Sequence, residues 1–289
     1  MLNLKDVTLA FGKNVVLDGI NLQFKQGEIV GLVAPNGTGK STLINVILHN
    51  LTPQKGFIEY EGTRYQTQKD TIKLHQEICS FPEQNDLFPF MTGRDHLNLY
   101  ADLWHNSEKP VEQIITDLQM ADYVGHKVET YSLGMKQRLC FAMVVAANSP
   151  VMLLDEVMNG LDPQNVALIS HMLLDLKGEN KLIIMASHLL SNLQEYADRV
   201  LFMGHGQIIE DLDNKEQHNR YLKMQSSPKA VKILSGYDFE TLPNNLILLP
   251  LAKIGQDKLS QILTELVEAD IQYSVERIDI EDLFNKFYN

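Results

Sequence analysis

Residues 31–42 read GLVAPNGTGKST, and they limit this chain more than any other stretch. The apolar run EIVGLV leads in as a buried strand. A helical pattern leads out, with Leu43, Val46 and Ile47 on one stripe. Between them, Gly37 and Gly39 let the backbone approach a ligand with no Cβ in the way. Strand, glycine-rich turn and helix start together form an anion site. Backbone N–H groups point at the anion and the helix dipole favours its charge. Lys40 can reach the β- and γ-phosphates of a nucleotide, and the Ser41 hydroxyl can bind Mg²⁺. The spacing G-x-x-x-x-G-K-[ST] is met except at its first position, where Ala34 stands. Alanine costs little there if φ is negative, as expected of a residue leaving a strand.

The rest of the chain agrees with such a setting. Residues 2–33 read as strands, two of them alternating apolar and polar residues. From about 87 to 145 the period is mostly helical, with Thr92 as a cap and Pro110 in a first turn. Strand and helix then alternate from VMLLD at 151 to RVLFM at 199. That alternation implies a mostly parallel sheet covered on both faces. A polar tract suggests a linker at 216–228. The tail, 229–289, reads strand–strand–helix–strand–helix. Leu259, Ile262, Leu263, Leu266 and Val267 form an amphipathic stripe in it, read as packing.

Three further stretches carry candidate chemistry. VMLLDE presents Asp155 and Glu156 at the carboxyl edge of a sheet, where such folds bind ligands. Asp155 suits Mg²⁺, and Glu156 suits orienting or deprotonating a water. YSLGMKQRL puts Ser132 and Gly134 before a helix, a second potential anion site. MASHLL ends a buried strand at His188. Each alone is ordinary: a charged helix start, a cap, a structural histidine.

Together and in this order they resemble the nucleotide-binding subunit of ATP-binding cassette (ABC) transporters, over roughly residues 2–215. APNGTGKST, residues 34–42, matches the Walker A loop: Ala34, Pro35, Asn36, Gly37, Thr38, Gly39, Lys40, Ser41 and Thr42. YSLGMKQR resembles the signature motif, VMLLDE matches Walker B, NGLDP matches the D-loop around Asp162, and ASH carries the switch histidine, His188. Phe11 falls where the family places an aromatic on adenine. In FPEQND, position matching gives Glu83 as the Gln-loop residue, while residue type gives Gln84. Leu133 replaces a signature glycine, and Val157–Met158 replace the usual Pro-Thr.

The resemblance implies an α/β fold, a P-loop NTPase with a mostly parallel core sheet. An N-terminal antiparallel β subdomain, a helical subdomain at about 87–145 and a small α+β C-terminal extension complete it. The cassette would span 1–215. The resemblance also implies an ATPase with ATP and Mg²⁺ as cofactors. Lys40, Glu156 and His188 would be catalytic, and Ser41, Asp155 and Gln84 would be metal-binding. Two cassettes would close head to tail, as a homo- or heterodimer, with Ser132 and Gly134 reaching the partner's γ-phosphate. A separate transmembrane permease would be the other partner, and the ending SVERIDIEDLFNKFY resembles the C-terminal extension of ATPases that serve exporters of the ABC-2 or drug and peptide-antibiotic kind, which implies an exporter. The alternatives are a non-transport ABC ATPase and a cassette that binds ATP with little hydrolysis.

Composition fits these expectations. The formal net charge of −12 argues against a basic field for nucleic acid. The longest apolar run, 139–147, is far short of the ~20 residues that span a bilayer. No secretory signal is legible, and the resemblance implies a cytoplasmic protein peripheral to the membrane. Cys79 and Cys140 are expected as buried, reduced thiols.

Overall fold

The computed structural model describes residues 1–105, 110–187, 190–214 and 220–288. They divide into two units, Met1–Leu212 and Asp213–Asn289.

Alternation at the N-terminus produces two long strands, β1 (Leu2–Phe11) and β2 (Asn14–Phe24), which pair antiparallel. The next strand, β3 (Ile29–Val33), is buried along its whole length and leaves that sheet. It runs into the glycine turn and α1 (Lys40–Ile47). The strands β4 (Lys55–Tyr60) and β5 (Thr63–Arg64) return to the antiparallel sheet, whose order is β2-β1-β4-β5. A helix, α2 (Gln68–Glu77), then leads into the short strand β6 (Ile78–Ser80).

The helical region follows as α3 (Gly93–Leu103), α4 (Val111–Asp117) and α5 (Leu133–Ala147). Thr92 caps α3 in a reciprocal capping box with Asp95. Ser132 caps α5, its hydroxyl accepting from the Met135 N–H at 3.3 Å. Cys79 and Cys140 are free and buried, and burial pushes the Cys79 thiol up.

Alternation resumes with β7 (Val151–Asp155), α6 (Pro163–Gly178), β8 (Leu182–Ala186), α7 (Leu190–Tyr196), β9 (Arg199–Gly204) and β10 (Gln207–Asp213). The core sheet runs β10-β9-β3-β8-β7-β6. Its inner pairs, β9–β3–β8–β7–β6, are parallel. The apolar strands β3 and β8 are fully buried, as befits strands covered on both faces. Among the described residues no helix is long and apolar enough to cross a membrane.

The second unit corrects the expected boundary. The segment read as a linker, 216–228, contains strand β11 (Arg220–Gln225), and α8 (Pro228–Ile233) begins at its end. The remaining elements are β12 (Glu240–Thr241), β13 (Leu246–Pro250), α9 (Gln256–Glu268), β14 (Tyr273–Arg277) and α10 (Ile280–Tyr288). Sheet order is β12-β13-β11-β14, the split β-α-β arrangement with β11 inside. Leu222, Met224, Ile247 and Leu249 form a core with Ala230, Leu234, Ile262 and Leu266. The expected stripe of α9 is therefore narrower than its apolar residues, for Val267 stays 65 % exposed.

On β11, Lys223 hid the strand from the sequence. Its side chain is 5 % exposed, with Nζ 2.5 Å from Asp282 and 3.1 Å from Asp279. Burial lowers the Lys223 pKa, but the bonds to Asp282 and Asp279 outweigh it and the net shift is upward. That stabilisation holds below the ordinary lysine value and fades as pH rises through the raised one. Lys223→Met strands the buried Asp282 carboxylate, so we expect a loss of about 3–5 kcal/mol in this unit. Urea unfolding measures it, and an unchanged midpoint would reject the triad as a stabilising element.

Candidate functional site

The cleft forms where β3 and β7 end. Asn36, Gly37, Gly39, Lys40, Ser41 and Thr42 line it on one side, and Asp155, Glu156 and Asn159 on the other, around about 510 Å³. Ala34 has a negative φ and carries its Cβ without strain. Gly39 does need glycine: its φ is +112°, and a Cβ would stand 3.1 Å from the Val16 carbonyl oxygen.

Lys40 is 6 % exposed. Its Nζ donates to the carbonyls of Ala34 at 2.5 Å and Pro35 at 3.2 Å. The Thr38 hydroxyl also donates to Pro35 O, at 2.7 Å. Burial lowers the Lys40 pKa, and the nearby Glu156 and Asp155 carboxylates oppose that without cancelling it. The cleft thus holds a cation at the mouth of an anion-binding turn.

Ser41 Oγ donates to Asp155 Oδ2 at 2.7 Å, across 114 residues of chain. A hydroxyl and a carboxylate converging at a helix start are hard oxygen donors, the set that Mg²⁺ takes with phosphate and water. Among the described residues, no cluster of three His, Cys, Asp or Glu side chains could hold a metal. Two protein oxygens of this kind leave the other positions around a Mg²⁺ to phosphate and water.

Glu156 stands just beyond β7 with φ 55°, in the left-handed region. Its N–H donates to Ala186 O of β8 at 3.0 Å. Next to the cleft lies a second cavity of about 710 Å³. Glu83, Gln84, Gln137 and Leu133 line it, and it shares Asp155, Glu156 and Asn159 with the cleft.

The structure brings the loop residues, Asp155 and Glu156 together, but not every candidate. Gln84 lines the adjoining cavity, which it shares with Asp155 and Glu156, while Ser41 lies in the cleft. The Gln84 amide donates to Gln137 Oε1 at 2.5 Å, whereas Glu83 caps the short turn that follows it. Phe11 ends β1 at 53 % exposure and does not line the cleft. Ser132 and Gly134 lie in the cap and first turn of α5, also outside the cleft. Asp162 caps α6, and the Asn165 N–H that it accepts at 2.9 Å leads the causes holding its carboxyl below the usual range. His188 lies outside the described residues.

Three residues near the site were given no role in the sequence. Asn159 borders both cavities, and Asn45 Nδ2 donates to Ser41 O at 2.8 Å. Gln137 is 5 % exposed on α5, and its Nε2 donates to Glu156 O and Val157 O. A lone amide beside the apolar run of that helix was the available signal. The Val157–Met158 departure is absorbed in the interior: both are buried, and Met158 Sδ accepts from Asn192 and Tyr196.

The chain is similar to known proteins. The family described as ABC transporter matches residues 17–159. The bacitracin transport ATP-binding protein BcrA of Enterococcus faecalis is 32 % identical over 76 % of this chain and 71 % of its own. The uncharacterized ABC transporter ATP-binding protein YhcH of Bacillus subtilis strain 168 is 26 % identical over 99 % of this chain and 94 % of its own. The fold matches the ATP-binding cassette MJ0796, solved as a dimer in a post-hydrolysis state with ADP and Pi, at TM-score 0.65 and 24 % identity. That match covers 74 % of this chain and 99 % of the other.

The chain belongs to the ABC transporter family. It is an ATP-binding subunit of that family, an ATPase.

Proposed function

We propose that the cleft between α1 and β7 hydrolyses ATP with Mg²⁺ and that the chain thereby drives an exporter from the cytoplasmic face of a membrane. The observation carrying this reading is the convergence of Lys40, Ser41, Asp155 and Glu156 on one cleft. Backbone N–H groups of residues 37–42 bind the β- and γ-phosphates, and Lys40 neutralises charge on them. Ser41 and Asp155 would hold Mg²⁺, which when bound supplies charge neutralisation to the phosphate oxygens. Glu156 orients a water and takes its proton as the water oxygen bonds to the γ-phosphorus. The bond from that phosphorus to the bridging oxygen breaks, and ADP keeps the electron pair. Ser132 and Gly134 of a second cassette would complete the γ-phosphate site. Phe11 would stack on adenine, and His188 would act near the γ-phosphate. Export is favoured by the bacitracin and lantibiotic transport names of relatives.

Phosphate release from ATP, measured on the purified chain with its permease, tests this. We expect turnover that depends on Mg²⁺ and stops on chelation. An inert complex that still binds ATP would make this a binding cassette instead.

A further inference from the structure

Gln137 uses its whole amide. Nε2 donates to Glu156 O at 3.0 Å and Val157 O at 2.9 Å, and Oε1 accepts from Gln84 Nε2 at 2.5 Å. Two N–H groups and one oxygen make three bonds, and the side chain is buried at 5 % exposure. The orientation of the amide is set by these partners. Turned over, it would place its oxygen against two carbonyl oxygens.

What it holds is an unfavourable backbone. Glu156 sits at φ 55°, a region that a residue with a long side chain seldom adopts. The peptide groups around it are fixed on two sides. The N–H is tied to Ala186 O of β8 at 3.0 Å, and the C=O is tied to Gln137 of α5. Through that second tie α5 bears on the direction in which the Glu156 side chain leaves the main chain. Gln137 also stands on the helix that Ser132 caps five residues earlier. The same rigid element thus carries a signature residue, a contact to Gln84 and a hold on Glu156.

We infer that Gln137 is a positioning residue: it sets the backbone of Glu156 for catalysis and links that setting to Gln84. This rests on the reading of Glu156 as the group that activates water. Gln137 touches neither nucleotide nor water in this account and acts only through its neighbours.

The test is Gln137→Leu, which removes all three bonds at similar volume, beside Gln137→Glu, whose carboxylate cannot donate to the two carbonyls. Each is assayed as the full chain with its permease. We expect kcat to fall about 10–100-fold through misplacement of Glu156. ATP affinity, read with a fluorescent ATP analogue, should stay within about twofold, because uniform binding is untouched. Gln84→Ala and the double variant Gln84→Ala/Gln137→Leu complete a cycle. Residues acting through one link give a double variant little worse than the poorer single one. Three results would overturn the inference: wild-type kcat in both variants, additive losses in the cycle, or a kcat loss matched by lost ATP affinity. If Gln137→Leu does not fold, Gln137→Glu and Gln84→Ala carry the decision. Glu156→Gln in the same series separates the two ideas. Unimpaired turnover there removes the Glu156 reading itself, whereas an inactive Glu156→Gln beside a normal Gln137→Leu removes only this inference.

Discussion

Glu156→Gln binds ATP and accumulates as a nucleotide-bound dimer, while steady-state turnover drops about 10²–10⁴-fold, the range for loss of a positioned general base. The amide has the same shape, so the left-handed backbone and its bond to Ala186 O persist. What disappears is the ability to accept a proton and one negative charge at the cleft wall. Removing that charge lowers repulsion toward the γ-phosphate, which favours the closed dimer. It also removes the larger of the two carboxylate fields that support the charge on Lys40. Phosphate release and size-exclusion chromatography with ATP read both effects. Hydrolysis near the wild-type rate would take Glu156 out of the mechanism.

Lys40→Met gives the other large effect. The ammonium is buried and held by the carbonyls of Ala34 and Pro35, so it is in place before ATP arrives. Preorganised charge of this kind is worth about 10²–10³ in kcat when removed. ATP binding weakens as well, because the same group faces the phosphates in the ground state. A methionine of similar length that retains both would reject the assignment. The pH dependence adds an independent reading. Burial holds the Lys40 pKa below 10.5, with the two carboxylates opposing it. kcat/KM should therefore decline on the alkaline side before an ordinary lysine would titrate, since this parameter reports the free enzyme. Stability moves the other way. Between the lowered folded value and 10.5 the unfolded chain binds more protons, so the burial penalty on Lys40 is relieved as pH climbs. Melting curves and rates across one alkaline series should diverge.

Much of the site was legible because its signals are local. EIVGLV followed by glycines and Lys40 specifies strand, turn and helix within a dozen residues, and VMLLDE does the same for β7. Ser132 and Thr92 announced helix starts, and both cap them. What escaped depends on contacts distant in sequence. Strand β11 looked polar because Lys223 is neutralised by Asp279 and Asp282, more than fifty residues later. Residue type and position disagreed over Glu83 and Gln84, and only the contact to Gln137 tells their surroundings apart. The Gln137 contacts join α5 to residues 19 and 20 positions away, which periodicity along one helix cannot reveal.

The left-handed backbone at Glu156 also bears on how such a subunit can change over generations. Holding a glutamate at φ 55° works against local preference by about 1–3 kcal/mol. Glycine or asparagine would sit there more comfortably. On the proposed role of Glu156, the demand for turnover is what favours glutamate there. A lineage released from that demand would gain folding stability by drifting away, and returning would mean accepting the strain again. Loss of hydrolysis at this position is downhill, and a silent cassette derived from this one would tend to stay silent.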